Sequence, residues 1–436
     1  MSARISRAGL PITVVLMLAS SLRLWNLASP PQTIWDESWY VTDANGLLGA
    51  NGFYGIYPHP PEALLGDTTW QHPPLGKMIL VLGVGPIGSS PIGWRLPPAV
   101  FGIAGVLLVW FTGRVLWRSE WWSALAALLL TLDGLHIVHS RLATLDIFVT
   151  TFISAFFLFL ILDRHRTEAG ALPLGTRLER TFGGRPRFWT GVAMGAAMAT
   201  KWSAFFPVVF GTVWAAVWLA RRSDPGRQLR TALKAIGGLV SVAAVTYLLA
   251  YSLFFIEHGP NLAAFTRLQV DMLEKQVTYS EAQPESSRPE TWPLMTHPIV
   301  YYAASDDATP HTPRILALGN PVVWWGSLLL IPLFLWVAAR ARDWRDWVIL
   351  GFFASSYLPW LLLGRTQFIY YMLPAVPFMC LMIPAALRGL PDKVSRPAGI
   401  AAAAAVVVTG FAFVPLWLGL PAPWLPWLQW LPGWRA

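Results

Sequence analysis

One cysteine, Cys380, occurs in 436 residues, and it lies in an apolar run. An intramolecular disulfide and a thiolate metal cluster are thereby excluded, and Cys380 reads as packing. Charge is also scarce. Only 13% of residues are Asp, Glu, Lys or Arg, against 55% hydrophobic and a mean hydropathy of +0.49, which excludes an ordinary soluble domain. No P-loop, dinucleotide fingerprint or Asp-X-Asp motif in a soluble context is present, so no nucleotide-sugar site is visible. His59, His72, His136, His139, His258, His297 and His311 are scattered. His136 and His139 share a helical face but have no third ligand, so zinc is not expected. The two halves do not match in loop length or charge, which argues against a two-half transporter.

Hydrophobic stretches near 20 residues recur along the whole chain, each able to cross a ~30 Å hydrocarbon core. The 25 Trp residues suit the membrane interface. Candidate spans fall at 9–28, 93–113, 121–138, 143–163, 187–202, 204–220, 235–256, 321–339, 346–363, 367–387 and 398–419. The first follows Arg4 and Arg7 and precedes Pro30-Pro31 without a small-residue cleavage site, so it reads as a retained helix. With the N-terminus cytoplasmic, that side also collects Arg114, Arg118, Arg164, Arg166, Arg177, Arg180, Arg185, Arg187, Arg221, Arg222, Arg227, Arg230, Lys234, Arg340, Arg342, Arg345, Arg388, Lys393 and Arg396. The net charge of +9 is thus a topology signal spread over short segments, and nucleic-acid binding is not expected.

The expected fold is an all-α integral membrane protein, a polytopic bundle of about 11 transmembrane helices. Two long external loops would carry short amphipathic helices. The parts are an N-terminal end and first span (1–28), an external loop (29–92), spans two to seven (93–256), a second external loop (257–320), spans eight to eleven (321–419) and an external tail (420–436). That tail holds Trp424, Trp427, Trp430 and Trp434 among Pro421, Pro423, Pro426 and Pro432, and prolines prevent a regular helix. It reads either as a flap on the outer membrane surface or as an inert end.

Just after the first span stands Asp36-Glu37, inside Trp35-Asp36-Glu37-Ser38-Trp39-Tyr40. Ionised carboxylates are costly in lipid, roughly 2.5–3.5 kcal/mol each at a helix centre, and these fall at a membrane–water boundary marked by aromatic residues. A pair at this depth suits a base acting on a hydroxyl beside a lipid-borne donor; a solvated turn is the plain alternative. Lys77, Arg95, Arg141, Asp146, Lys201 and Arg365 lie near span ends on the same side. Cations converging there would neutralise a phosphate, Arg as a planar fork and Lys as a point charge. Taken singly, each has an ordinary reading: an Arg141–Asp146 ion pair, snorkelling lysines, an interface anchor at Arg95. Asp133 reads as a partner of His136 or a helix cap.

Together these segments resemble the protein O-mannosyltransferase family, the lipid-donor enzymes that use dolichyl- or polyprenyl-phosphate-mannose. The resemblance runs from about residue 30 to 390. Its most specific string is His72-Pro73-Pro74-Leu75-Gly76-Lys77, beside Asp36-Glu37, Trp94-Arg95-Leu96, Leu132-Asp133-Gly134, Ser140 to Asp146 and Thr200-Lys201-Trp202-Ser203. Arg288-Pro289, Trp292-Pro293-Leu294, Pro298 to Tyr302, Ala317 to Pro321 and Phe368 to Pro374 extend it. The second external loop is too small for the β-trefoil domain of eukaryotic members, and Ser38-Trp39-Tyr40 departs from their pattern. Acceptor and sugar therefore stay open.

The resemblance implies a glycosyltransferase of the type C fold in a prokaryotic plasma membrane, with its C-terminus external. The donor would be polyprenyl-phosphate-mannose and the acceptor a secreted or membrane protein, met near the export machinery. Asp36 would be the general base, and Glu37 would orient the acceptor or the loop. His72, Lys77, Arg95, Arg141, Asp146, Lys201 and Arg288 would bind the donor's phosphate or sugar. Trp35, Trp39, Tyr370 and Tyr371 would line the lipid or acceptor groove. Direct displacement inverts the anomeric carbon and requires no metal or other cofactor, though a divalent ion is compatible with it. Burying the lipid tail exchanges one apolar medium for another, so the headgroup supplies specificity. The rival readings are a lipid-donor enzyme moving another sugar to a lipid or glycan, and a transporter of lipid-linked sugars.

Overall fold

The computed structural model describes residues 10–49, 70–169, 185–281, 283–304 and 312–434. Arg4, Arg7, Arg177 and Arg180 of the charge pattern, and His59 and His311, lie outside the described residues. The chain divides into two compact units. One comprises Leu27–Pro98 and Leu142–Glu281; the other comprises Met1–Asn26, Ala99–Arg141 and Ala282–Ala436.

In the first unit the helix Asp146–Ala169 packs along Pro186–Met198, which packs in turn on Gln228–Ala250. Gly191 and Gly195, one turn apart, make the second contact close. A Cβ on Gly195 would lie 2.4 Å from the Ala243 carbonyl oxygen. In lipid, helices associate through such small residues, because burying Leu gains little over lipid tails. Glu37–Leu48 pairs with Leu75–Ile87. Leu262–Thr278 turns Phe265 and Leu268 onto a cluster around Tyr251 and Phe254.

In the second unit Val376–Arg388 is buried from Val376 to Leu387 and packs against Glu120–Thr131, Pro321–Ala341 and Trp344–Tyr357. Cys380 is fully buried there. A feature absent from the all-α expectation is an antiparallel β-hairpin of Ile299–Ala303 and Arg314–Ala317, with a register shift between Val300 and Tyr302.

Asp133 ties this unit together. Its Oδ1 accepts from the His136 amide at 3.0 Å, capping the helix Gly134–Ser140, while Oδ2 accepts from Trp324 Nε1 at 2.8 Å and the Asn320 amide at 3.1 Å. Asn320 Nδ2 donates to the Leu132 carbonyl at 3.0 Å. Asp133→Ala orphans two buried donors besides the cap, a loss of about 3 kcal/mol or more. We expect a lower melting temperature in detergent; an unchanged one would show that the network adds nothing.

About eleven spans were expected, and the structure corrects this. Among the described residues seven helical segments are long and apolar enough to cross a membrane: Pro91–Trp117, Asp146–Glu168, Trp202–Arg221, Pro225–Ala250, Pro321–Ala341, Ile369–Arg388 and Asp392–Leu418. An eighth arises if Glu120–Thr131 and Gly134–Ser140, bent by 65°, form one span. The remaining candidates are short helices: Leu10–Leu24 with 15 residues, Pro186–Met198 with 13 and Trp344–Tyr357 with 14. At 1.5 Å per residue they reach only about 20–22 Å. Hydropathy continues past the breaks. Pro359 opens a 3-10 turn after Tyr357, and the chain leaves the helix before Lys201.

Candidate functional site

In the first unit the acidic pair opens the helix Glu37–Leu48, and its two members have different surroundings. Glu37 is fully buried. Its carboxylate meets Arg95 through two bonds, Nε to Oε1 at 2.9 Å and Nη2 to Oε2 at 2.7 Å. It also accepts the amides of Ile34 at 3.1 Å and Ala143 at 2.9 Å. Arg95 donates further to the carbonyls of Leu27, Pro30 and Gln32, so its five N–H groups all meet protein acceptors. Arg95 therefore holds the 27–37 loop, a different role from the expected phosphate contact. Glu37 is the anchor of that grip.

Asp36 is half-buried. It occupies the N-cap position, yet its side chain accepts no amide of its own helix. Preceding it, Trp35 has a left-handed backbone (φ 54°), an uncommon conformation for so bulky a residue. Such strain is found where a turn must aim its neighbour. Burial raises the Asp36 carboxyl from its usual range to about 6; Lys201 opposes the rise and Asp146 adds to it. A carboxylate that titrates near neutrality, without a cap to satisfy it, is suited to take a proton.

Two further buried ion pairs lie in the same unit. Lys201 Nζ meets Asp146 Oδ1 and Oδ2 at 2.9 and 3.0 Å. Lys77 Nζ meets Asp43 Oδ2 at 3.2 Å, both fully buried. The backbone joins these segments: Ala143 N–H reaches Glu37, and Leu75 N–H donates to the Ala199 carbonyl at 3.0 Å. Gly76 permits this approach, since a Cβ there would lie 2.6 Å from Leu145 Cδ2. Asp43 was not anticipated from the sequence. Its signal was the spacing Asp36, Tyr40, Asp43, which places three polar or aromatic groups on one helical face. His72 lies 6.3 Å from the Tyr40 ring, and Trp39 is exposed. Among the described residues no group of three His, Cys, Asp or Glu side chains is arranged to hold a metal ion.

The other expected site residues belong to the second unit. Arg141 Nη1 donates to the Leu22, Arg23 and Trp25 carbonyls and Nη2 to that of Asn26, capping the helix Leu10–Leu24. Within its own unit these carbonyls are what Arg141 meets, where the sequence offered a phosphate or Asp146; Asp146 meets Lys201. Tyr370 and Tyr371 are 6% and 8% exposed and belong to aromatic clusters. Tyr370 stacks on Phe368, with ring centroids 5.3 Å apart. Tyr371 lies 4.6 Å from Trp360 and 6.2 Å from Trp292. Arg288 is exposed on a cleft of about 440 Å³ lined also by Ser286, Ser287, Glu290, Arg365 and Gln367.

Comparison with known proteins places the chain in a family. Residues 84–258 match the family model for dolichyl-phosphate-mannose-protein mannosyltransferase, and residues 261–434 match that for the C-terminal four-transmembrane region of protein O-mannosyltransferase. The polyprenol-phosphate-mannose–protein mannosyltransferase of Mycolicibacterium smegmatis is 30% identical over 97% of this chain and 92% of its own length. That of Corynebacterium glutamicum is 28% identical over 89% and 85%. The fold matches a chain of the Saccharomyces cerevisiae Pmt1–Pmt2 complex bound to its sugar donor, with a TM-score of 0.78 and 14% identity over 98% of this chain and 92% of that one. It also matches ArnT of Cupriavidus metallidurans bound to undecaprenyl phosphate, with a TM-score of 0.65 and 15% identity over 94% and 76%. With 30% identity to a relative over 97% of its length and both family regions matched, the chain belongs to the dolichyl-phosphate-mannose-protein mannosyltransferase family.

Proposed function

We infer that this membrane enzyme moves mannose from polyprenyl-phosphate-mannose to Ser and Thr hydroxyls of secreted or membrane proteins, with Asp36 as general base. The observation that carries the assignment of the base is the half-buried Asp36 carboxylate, unengaged as a cap and titrating near 6 beside Lys201 and Asp146. The acceptor oxygen attacks the anomeric carbon while Asp36 takes its proton. The bond from that carbon to the phosphate oxygen breaks, and the lipid phosphate leaves with the electron pair. One displacement inverts the anomeric centre.

Lys201 stabilises the charge growing on the phosphate, and a fixed cation in a water-poor site does this well, at about 3–4 kcal/mol; Lys77, fully buried on Asp43, acts through the frame of the site. Asp146 holds Lys201 in place. His72 contacts the sugar, and Arg288 contacts the donor phosphate. Trp35 and Trp39 guide the acceptor. Glu37 and Arg95 form the frame that sets Asp36.

The membrane is the plasma membrane. The N-terminus is cytoplasmic and the C-terminus external, because short basic segments favour the cytoplasm. The acceptor is met as it emerges from the export machinery.

The deciding test is transfer of labelled mannose from polyprenyl-phosphate-mannose to a Ser/Thr-rich peptide by membranes carrying the protein. Label in the peptide supports the assignment. Label confined to lipid or glycan would move the enzyme to a different acceptor class.

A further inference from the structure

After Asp392–Leu418 the chain turns at Gly419 (φ 67°) and runs back over the second unit. Trp424 Nε1 donates to the Ala412 carbonyl at 3.0 Å. Leu425 and Trp434 are each 1% exposed. The Trp430 and Trp434 rings lie 5.8 and 5.9 Å from that of Trp325 and 5.1 and 5.9 Å from that of Phe413.

The end of this path meets the residues that directly follow one wall of the Arg288 cleft. Residues 286–290 form that wall and continue into the 3-10 helix Pro289–Leu294. A helix end leaves carbonyls without intrahelical partners. Two indoles take them: Trp325 Nε1 donates to Leu294 at 3.3 Å and Trp434 Nε1 to Met295 at 2.6 Å. Met295 is itself left-handed, with φ 56°. Gly433 lets the two backbones touch, since a Cβ there would lie 2.0 Å from the Thr296 carbonyl oxygen. The near end of the wall has separate fixings. Trp292 is fully buried, its Nε1 donates to Ser287 Oγ at 3.0 Å, and Ser287 N–H donates to the Gln367 carbonyl at 2.9 Å.

We propose that segment 420–434 is a strap that fixes the Arg288-bearing wall of the cleft, with Trp434 as a positioning residue for donor binding. The effect on donor binding rests on the reading that Arg288 contacts the donor phosphate. The wall has the indole of Trp292 at one end and that of Trp434 at the other. Loss of the second lets Pro289–Met295 open locally without global unfolding.

The test uses the full chain in detergent with three variants. Trp434→Ala removes ring and donor. Trp434→Phe keeps a ring and loses the N–H. Gly433→Ala pushes the strap off Thr296 while keeping the Trp434 indole on the chain. Amide exchange across 286–296 is expected to quicken about tenfold in Trp434→Ala and Gly433→Ala, and less in Trp434→Phe. The KM for polyprenyl-phosphate-mannose is expected to rise about tenfold while kcat falls less. A lower melting temperature with unchanged exchange across 286–296 would mark the segment as mere packing and overturn the strap. Arg288→Ala separates the two layers. If it raises the donor KM but the quickened-exchange variants do not, the positioning role fails. If it leaves that KM unchanged while exchange still quickens, the assignment of Arg288 fails and the strap stands.

Discussion

Asp36→Asn should lower mannose transfer by two to four orders of magnitude and leave the protein folded, since a general base contributes roughly 10²–10⁴-fold. The amide is nearly isosteric, and the lost carboxylate caps no helix, so structure has little to lose. The pH profile gives an independent check. Burial raises the Asp36 carboxyl to about 6, and the base works only when deprotonated. The native rate should therefore plateau above that value and fall about tenfold per pH unit below it. In Asp36→Asn the residual rate should lose this limb. Equal transfer by both proteins would eliminate Asp36 as base. A surviving acid limb in the variant would assign the titration to another group.

The charged residues of the first unit's candidate site were legible in the sequence, because charge in an apolar chain is costly and so conspicuous. Asp36, Glu37, Lys77, Arg95, Asp146 and Lys201 stood out on that ground, and all lie in one unit. Their pairing was not legible. Arg95 read as a phosphate ligand because a sequence shows a cation but not its acceptors, here Glu37 and three loop carbonyls. Arg141 read as a partner of Asp146 because five residues separate them; its hold on carbonyls at the end of Leu10–Leu24 was not legible. Asp43 was hidden because one acid on a helix with polar neighbours carries no cost that composition reveals. The span count failed for a related reason. Hydropathy registers what a side chain prefers and not where the backbone breaks, so the bend of 65° after Thr131 and the short helices passed as full spans. Asp133 marks that bend, and its role as a cap was visible.

Breaking the Glu37–Arg95 pair should be the most damaging change to stability, and the two single variants should differ. Both groups are almost completely buried, at 0% and 1% exposure. Removing one partner of such a pair costs about 3–5 kcal/mol, because the other keeps its charge without compensation. After Arg95→Met the Glu37 carboxylate retains only the Ile34 and Ala143 amides, and the carbonyls of Leu27, Pro30 and Gln32 lose their donor. After Glu37→Gln, by contrast, Arg95 keeps three carbonyls, and the amide oxygen still accepts one backbone N–H. Arg95→Met should therefore melt lower than Glu37→Gln. Arg95→Lys should rescue little, since one ammonium cannot serve five acceptor contacts spread over a planar fork. The double variant should lie close to Arg95→Met, with a coupling of about 3 kcal/mol. Melting temperatures of the native protein and the four variants in one detergent give the comparison. Additive losses would show that the pair does not act as a unit. Because Asp36 is the next residue in the loop that this pair fixes, transfer should fall in both variants even where the protein remains folded. Normal kcat in folded Glu37→Gln would separate the frame from the base.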